Sequence, residues 1–127
     1  MNINPKNPVI NTRSFGENPI QVADKVIAYA SGLEEGGVLS VCKHFPGHGD
    51  TDIDSHKALP VLPFTRERLD SVELYPFKKA IHSGLSGIMV GHLAVPVFET
   101  NNGVPSSLSC NIVYDLLTRE LKFQGLI

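Results

Sequence analysis

A polar stretch from Lys43 to His56, KHFPGHGDTDIDSH, contains most of the side chains in this chain that could do chemistry. Three of the chain's five histidines fall within it, together with three aspartates. It directly follows the apolar run Val38–Cys42, which we interpret as a buried strand. The stretch therefore lies at the C-terminal end of a strand, where barrels and open α/β sheets build their active sites.

Asp54 and His56 form the pair in this stretch with the clearest chemical use. A carboxylate two residues from an imidazole can orient the ring and favour its charged form. The raised proton affinity then lets the histidine act as a general acid and later as a base near neutral pH. Lys43 and His44, at the end of the strand, would direct hydrogen-bond donors toward the hydroxyl groups of a polar ligand.

Three other interpretations of the same stretch stay open at this level. Gly47 and Gly49 suggest a phosphate cradle only weakly, because no third glycine and no G-K-[ST] motif follow them. Five side chains are competent metal ligands: His44, His48, Asp50, Asp54 and His56. No helical H-x-x-x-H with an intervening glutamate accompanies them. The histidines and aspartates could also simply hydrogen-bond the backbone of their own loop.

Helical patterns precede and follow this stretch. The first begins at Asn18, a good N-cap, with Pro19 in the first helical position. Its apolar residues recur at helical spacing on one face: Val22, Val26, Ala30 and Leu33. Thr65 caps a second helical pattern, which Pro76 should kink or restart and which Gly84 ends.

The last third of the chain repeats the alternation of strand and helix. Ile88–Val90 is predicted to be a second buried strand. A final helix begins after Ser109 as its cap and is predicted to end at Gly125. Its apolar stripe contains Ile112, Val113, Leu116, Leu117 and Leu121. Leu126 and Ile127 have the character of a further strand that is just beginning.

This alternation predicts an α/β protein with parallel strands covered by helices. A complete (β/α)8 barrel needs roughly 250 residues, or about 31 for each unit. The 127 residues therefore predict a partial TIM (β/α)8 barrel of about four β/α units, incomplete at both ends. Residues 1–127 would then form an interior fragment of a larger catalytic barrel. A self-contained flavodoxin-like sheet is the structural alternative.

Composition narrows the possible partners. The net charge of −2 and the scattered basic residues argue against a nucleic acid or an anionic membrane as a partner. No apolar run approaches the roughly 18 residues of a membrane span, so we predict that the chain contains no membrane-spanning helix. The start of the chain lacks the pattern of a secretion signal, which leaves cytoplasm, periplasm and secretion open. Cys42 and Cys110 form no C-x-x-C pair and are interpreted as buried or idle thiols.

The polar stretch and three further motifs resemble the family 3 glycoside hydrolases, and more narrowly their β-N-acetylhexosaminidase branch. The hallmark is KHFPGHG at 43–49, followed by Asp54-Ser55-His56. The stretches at 7–19, 87–93 and 105–127 are similar to the same branch and occur in the same order. The glucosidase branch lacks the D-S-H element, which makes a β-glucosidase the weaker alternative.

The resemblance implies a retaining hydrolase that removes terminal β-linked N-acetylglucosamine from a glycan, with peptidoglycan fragments as the natural substrate class. By matching positions, Arg13, Lys43 and His44 would bind the N-acetylglucosamine ring. His56 would be the acid/base residue and Asp54 its orienting partner. The resemblance implies no metal and no organic cofactor.

The resemblance also implies that two parts of the site lie outside this chain. The nucleophilic aspartate is expected after Ile127, and a further sugar contact before Met1. The chain alone is therefore expected to be inactive, because a retaining double displacement needs its nucleophile. A half barrel would expose strand edges, so we expect it to bind the rest of its barrel or to self-associate. A non-catalytic sugar-binding or purely structural remnant is the alternative function.

Overall fold

The computed structural model describes residues 1–54 and 57–127 and contains two parallel strands packed against helices. The strands are β1 (Val41–Phe45) and β2 (Gly87–Val90). The helices are α1 (Pro19–Glu35), α2 (Arg66–Ser71), α3 (Leu74–His82) and α4 (Asn111–Glu120). Short 3₁₀ turns occur at Asn11–Arg13 and Ser106–Leu108. The α/β class predicted from the sequence is confirmed.

Helix α1 begins where the sequence predicts. The Asn18 side-chain oxygen accepts hydrogen bonds from the backbone N–H groups of Ile20 and Gln21, at 3.0 and 3.1 Å. Pro19 occupies the first helical position, where its missing N–H costs nothing. Val22 and Ala30 are buried on the face that packs against α3. The predicted apolar face of this helix therefore covers the core.

Strand β1 lies three residues later than predicted. The apolar run suggested a strand over Val38–Cys42 and a loop from His44, but Val38 and Leu39 are 56% and 64% exposed. The ladder begins at Val41, opposite Gly87, and continues to Phe45, opposite Val90. The prediction was wrong because the partner strand, and not local hydrophobicity, determines which backbone groups are paired.

The break between α2 and α3 has a simple local cause. Thr65 accepts a hydrogen bond from the Arg68 N–H at 3.3 Å and so caps α2 as predicted. Pro76 has no N–H to donate to the carbonyl of Val72. Helix α2 therefore ends at Ser71, and α3 begins at Leu74. Gly84, with φ +92°, follows the end of α3. Both predicted effects, of the proline and of the glycine, are confirmed.

The last helix ends earlier than predicted. The Ser109 hydroxyl accepts from the Ile112 N–H at 3.3 Å, so its capping role is confirmed. Helix α4 is of π type and stops at Glu120, and Lys122 takes the left-handed backbone conformation with φ +60°. Gly125 was therefore wrongly predicted as the terminator. A Cβ on Gly125 would lie 2.3 Å from the Ser86 carbonyl oxygen, so close backbone packing explains this glycine.

Leu126 adds a third partner to the edge of the sheet. It forms a parallel bridge with Gly87, and its carbonyl accepts from the Ile88 N–H at 2.8 Å. The strand expected at the end of the chain is thus represented by this single bridge. Among the described residues, no helix is both long enough and apolar enough to cross a membrane.

The core lies between the sheet and the helices. Its completely buried apolar residues come from the end of β1 and from the chain after it: Phe45, Leu62, Leu69, Leu74, Ala80, Leu93, Ile112 and Leu117. Cys42 is half-buried, and burial raises the pKa of its thiol to about 11, which keeps it protonated and unreactive. Cys110 is also a free thiol and is exposed, so of the two cysteines only Cys42 is partly buried.

Candidate active site

A cavity of about 230 Å³ opens beside β1. Its polar wall includes three of the predicted site residues, Arg13, Lys43 and His44. Apolar side chains of α1 also line it: Val22, Val26, Tyr29, Ala30 and Leu33. The fold therefore brings together Arg13 and the Lys43–His44 pair, which are thirty residues apart in the sequence. A cavity with one apolar wall and a few converging polar groups is typical of a small-ligand site.

The end of β1 is irregular at His44. Lys43 pairs with Met89 and Phe45 with Val90, so His44 is the extra residue of a bulge. A bulge redirects side chains and is often found next to active sites. The Lys43–His44 and Phe45–Pro46 peptide bonds are both cis. Lys43 is exposed and His44 half-buried, whereas Phe45 is completely buried and holds the strand end in the core.

His48 braces the loop that follows β1. The residue is 4% exposed, and its Nδ1 lies 2.9 Å from the Thr51 hydroxyl. The same hydroxyl donates to the His48 carbonyl at 3.1 Å. The His44 and His48 rings meet edge to face with centroids 5.7 Å apart. These contacts stabilise a loop whose residues 47–50 line the cavity.

Asn7 links the segment that carries Arg13 to the same loop. Its side-chain amide donates to the His48 carbonyl at 2.7 Å, and its side-chain oxygen accepts from Val9 and Ile10 at 2.9 and 2.8 Å. Asn7 is only 4% exposed, so these hydrogen bonds lie away from water. Apart from the Asn-Pro turn dipeptide at this position, no sequence feature indicated this role.

Arg68 of α2 bonds two carboxylates that line the cavity. One Nη donates to Asp50 at 2.9 Å, and the other donates to Glu73, with one contact at 2.6 Å. Burial raises the pKa of Glu73, and the neighbouring Arg68 guanidinium opposes that rise. Glu73 and Asp50 both line the cavity. Sequence reasoning missed Arg68 and Glu73; a glutamate within the apolar pattern of a helix was the available signal.

Of the two predicted acid/base residues, Asp54 is described by the structure and His56 is not. Asp54 is half-buried, and its carbonyl accepts from the Lys57 and Ala58 N–H groups at 2.9 and 3.2 Å. It is not among the residues that line the cavity. His56 lies outside the described residues, so the Asp54–His56 pair stays a prediction.

The metal interpretation has no support within the described part of the chain. Residues 1–54 and 57–127 contain no group of three or more histidine, cysteine, aspartate or glutamate side chains arranged to hold a metal ion. His92, at the end of β2, instead places its Nδ1 2.8 Å from the Ser107 hydroxyl.

Residues 1–127 match the Glycosyl hydrolase family 3 N terminal domain, and the chain belongs to this family. It is 41% identical to Beta-hexosaminidase A of Pseudoalteromonas piscicida, over 98% of this chain and 23% of that protein. It superimposes with a TM-score of 0.97, at 44% identity, on a family 3 β-N-acetylglucosaminidase of Paenibacillus sp. str. FPU-7, over 99% of this chain and 24% of that one. NagZ from Neisseria gonorrhoeae matches with a TM-score of 0.89 and 34% identity, over 98% of this chain and 36% of that one.

These comparisons confirm the family resemblance drawn from the sequence motifs. They also show that the chain spans between 23% and 36% of the length of these three relatives.

Proposed function

We propose that this chain is an interior part of the catalytic barrel of a retaining β-N-acetylhexosaminidase. The enzyme would remove terminal β-linked N-acetylglucosamine from glycans, with peptidoglycan fragments as the natural substrate class. The observation that carries the proposal is the meeting of Arg13, Lys43 and His44 at one cavity. The family membership and the names of the relatives support it.

In this proposal the cationic side chains of Arg13 and Lys43, together with His44, bind the N-acetylglucosamine ring through hydrogen bonds to its oxygens. Donors of this kind make stronger hydrogen bonds when they are charged. The apolar side chains that α1 contributes to the lining would exclude water from part of the cavity. No metal or organic cofactor enters the mechanism.

The acid/base role falls to His56, oriented by Asp54. The imidazolium would protonate the glycosidic oxygen while a carboxylate attacks the anomeric carbon and forms a glycosyl-enzyme intermediate. The neutral imidazole would then take a proton from the water that hydrolyses this intermediate. In this proposal the attacking carboxylate is the aspartate that the resemblance implies after Ile127. Most glycosidases use two carboxylates for these steps, so the histidine is the distinctive element.

The exposed apolar residues near the sheet support the partial barrel. Val38, Leu39, Val41, Met89, Leu126 and Ile127 are between 47% and 64% exposed. We propose that the remaining β/α units of the longer protein cover this surface. The 127-residue chain produced alone is predicted to self-associate, because clustered exposed apolar groups favour association. Light scattering coupled to size exclusion measures this directly, and a monodisperse monomer would contradict the half-barrel proposal.

The activity is tested on the full-length protein with two aryl glycosides that differ only in the sugar. We expect kcat/KM for the aryl N-acetyl-β-glucosaminide to exceed that for the aryl β-glucoside by at least about a hundredfold, because a site that hydrogen-bonds the acetamido group rejects the analogue without it. An equal or reversed preference would favour the β-glucosidase alternative. Binding of N-acetylglucosamine without turnover would favour the non-catalytic sugar-binding alternative.

A further inference from the structure

We propose that Arg68 is a positioning residue of the active site. It would act by holding the loop at 46–54, which connects the strand bearing Lys43 and His44 to the Asp54–His56 pair. The contacts that carry this inference are geometric. Its expected effect on catalysis rests on the function proposed above.

The first contact is an ion pair across the loop. One Nη of Arg68 lies 2.9 Å from the Asp50 carboxylate, and the two side chains are 31% and 19% exposed. The residues are eighteen positions apart, so this contact is tertiary and not a by-product of helix α2. Partial burial shields the pair from solvent and from salt, which makes it more effective than a surface ion pair.

The second contact reaches the loop through Glu73. The other Nη of Arg68 bonds both carboxylate oxygens of Glu73, whose side chain is only 3% exposed. The backbone of Gly47 packs directly on this glutamate: a Cβ at Gly47 would lie 2.8 Å from Glu73 Cβ and Cγ. Arg68 and Glu73 therefore contact the loop at two points, Gly47 and Asp50, on either side of His48.

Only a guanidinium can make this arrangement. Its planar fork presents separate N–H groups to two carboxylates at once, whereas an ammonium is a single point charge. The guanidinium of Arg68 also lies over the Phe64 ring, 4.6 Å from the centroid, which fixes its plane. Without the guanidinium between them, the like charges of Asp50 and Glu73 would repel one another.

The contacts of Arg68 with Asp50 and Glu73 form what we call the clamp. Its effect on catalysis depends on which residues it holds in position. Lys43 lies on β1, where backbone pairing with β2 determines its position. Asp54 comes four residues after Asp50 and depends on the loop for its position. Loss of the clamp should therefore displace the proton-transfer groups more than the groups that bind the ring. A displacement of about 1 Å at reacting groups lowers the rate by roughly a hundredfold.

Arg66 provides a matched control on the same helix. Its Nε lies 2.8 Å from Asp70, it also bonds Glu120, and its guanidinium lies 4.9 Å from the Phe98 ring centroid. Its side chain is 34% exposed, close to the 31% of Arg68. Its ion pairs run to α2 and α4 instead of to the loop. Removing either arginine costs a similar set of contacts, but only Arg68 connects to the cavity.

The experiment compares Arg68→Met, Arg68→Lys and Arg66→Met in the full-length protein on the aryl N-acetyl-β-glucosaminide. We expect Arg68→Met to lower kcat by about ten- to a hundredfold with KM changed less than about threefold, and Arg68→Lys to recover part of the loss. Arg66→Met should keep kcat within about twofold of the wild type. Equal losses in both methionine variants, or an unchanged kcat in Arg68→Met, would overturn the proposal.

Hydrogen exchange of a peptide covering 46–54 provides a measurement that does not depend on activity. Arg68→Met should accelerate exchange in this peptide about tenfold relative to Arg66→Met, because the loop loses two of its attachments. If the wild type turns over neither glycoside, the proposed function fails, and the exchange result alone decides the positioning role. If Arg68→Met does not fold, Arg68→Lys and Asp50→Asn replace it with the same expected directions. Unchanged exchange in a folded variant would refute the clamp.

Discussion

Replacing His56 with alanine in the full-length protein is expected to lower kcat for aryl N-acetyl-β-glucosaminides by about a hundredfold to ten-thousandfold, the range for loss of a general acid/base. Under the proposed mechanism, the variant would lack the group that protonates the departing oxygen and then activates the water. The loss should be largest for a substrate with a poor leaving group, because such a group depends most on protonation. Steady-state kinetics on a good and a poor aryl leaving group measure both effects.

His92→Ala is the matched control for this prediction. His92 follows the end of β2, and its Nδ1 lies 2.8 Å from the Ser107 hydroxyl. An equal loss of kcat in both alanine variants would point to a general disturbance of the strand ends. An active His56→Ala variant with the same leaving-group dependence as the wild type would remove His56 from the mechanism and leave the acid/base residue to be found elsewhere.

Phe45→Ala is expected to destabilise the protein by about 3–5 kcal/mol, the usual cost of emptying a buried aromatic site. Phe45 is 0% exposed, and its ring packs edge to face on Phe77 with centroids 5.2 Å apart. It also pairs with Val90 at the last position of the sheet. A loss of this size is a large part of the roughly 5–15 kcal/mol that stabilises a typical domain.

Urea unfolding of the full-length protein, at one protein concentration for all variants, measures this effect as a lower midpoint. Tyr114→Ala is the control, because Tyr114 is 54% exposed on α4 and should change stability by no more than about 0.5 kcal/mol. Phe45→Leu should lose less than Phe45→Ala because it keeps most of the apolar volume. A Phe45→Ala variant as stable as the Tyr114→Ala control would show that the end of β1 is not anchored through this ring.

The two predictions concern different parts of one structure. Phe45 anchors the strand end, and the loop at 46–54 begins at the next residue. Lys43 and His44 precede Phe45 in the chain. Asp50, which accepts a hydrogen bond from Arg68, follows it. A destabilised anchor should therefore impair sugar binding and proton transfer together, whereas loss of His56 impairs proton transfer alone. The pattern of KM and kcat distinguishes these cases.

Features that depend on neighbouring residues were predictable from the sequence. Asn18 and Thr65 cap their helices because a cap needs only N–H groups two or three residues away. Pro76 breaks its helix because the lost hydrogen bond lies within one turn. Most of the candidate site was visible for the same reason, since all of its predicted residues except Arg13 occupy one short stretch with a recognisable motif.

Features that depend on distant residues emerged only from the tertiary structure. The bounds of β1 follow from its register against β2, more than forty residues away, and local hydrophobicity placed them wrongly. Asn7 bonds His48 across forty-one positions, and Arg68 bonds Asp50 across eighteen. A buried polar side chain needs a partner, but the one-dimensional pattern does not reveal which partner the fold supplies. The sequence by itself therefore determined the family and the helix caps, because both depend on residues close together in the chain, and packing between distant segments decided the bounds of β1 and how the loop at 46–54 is held.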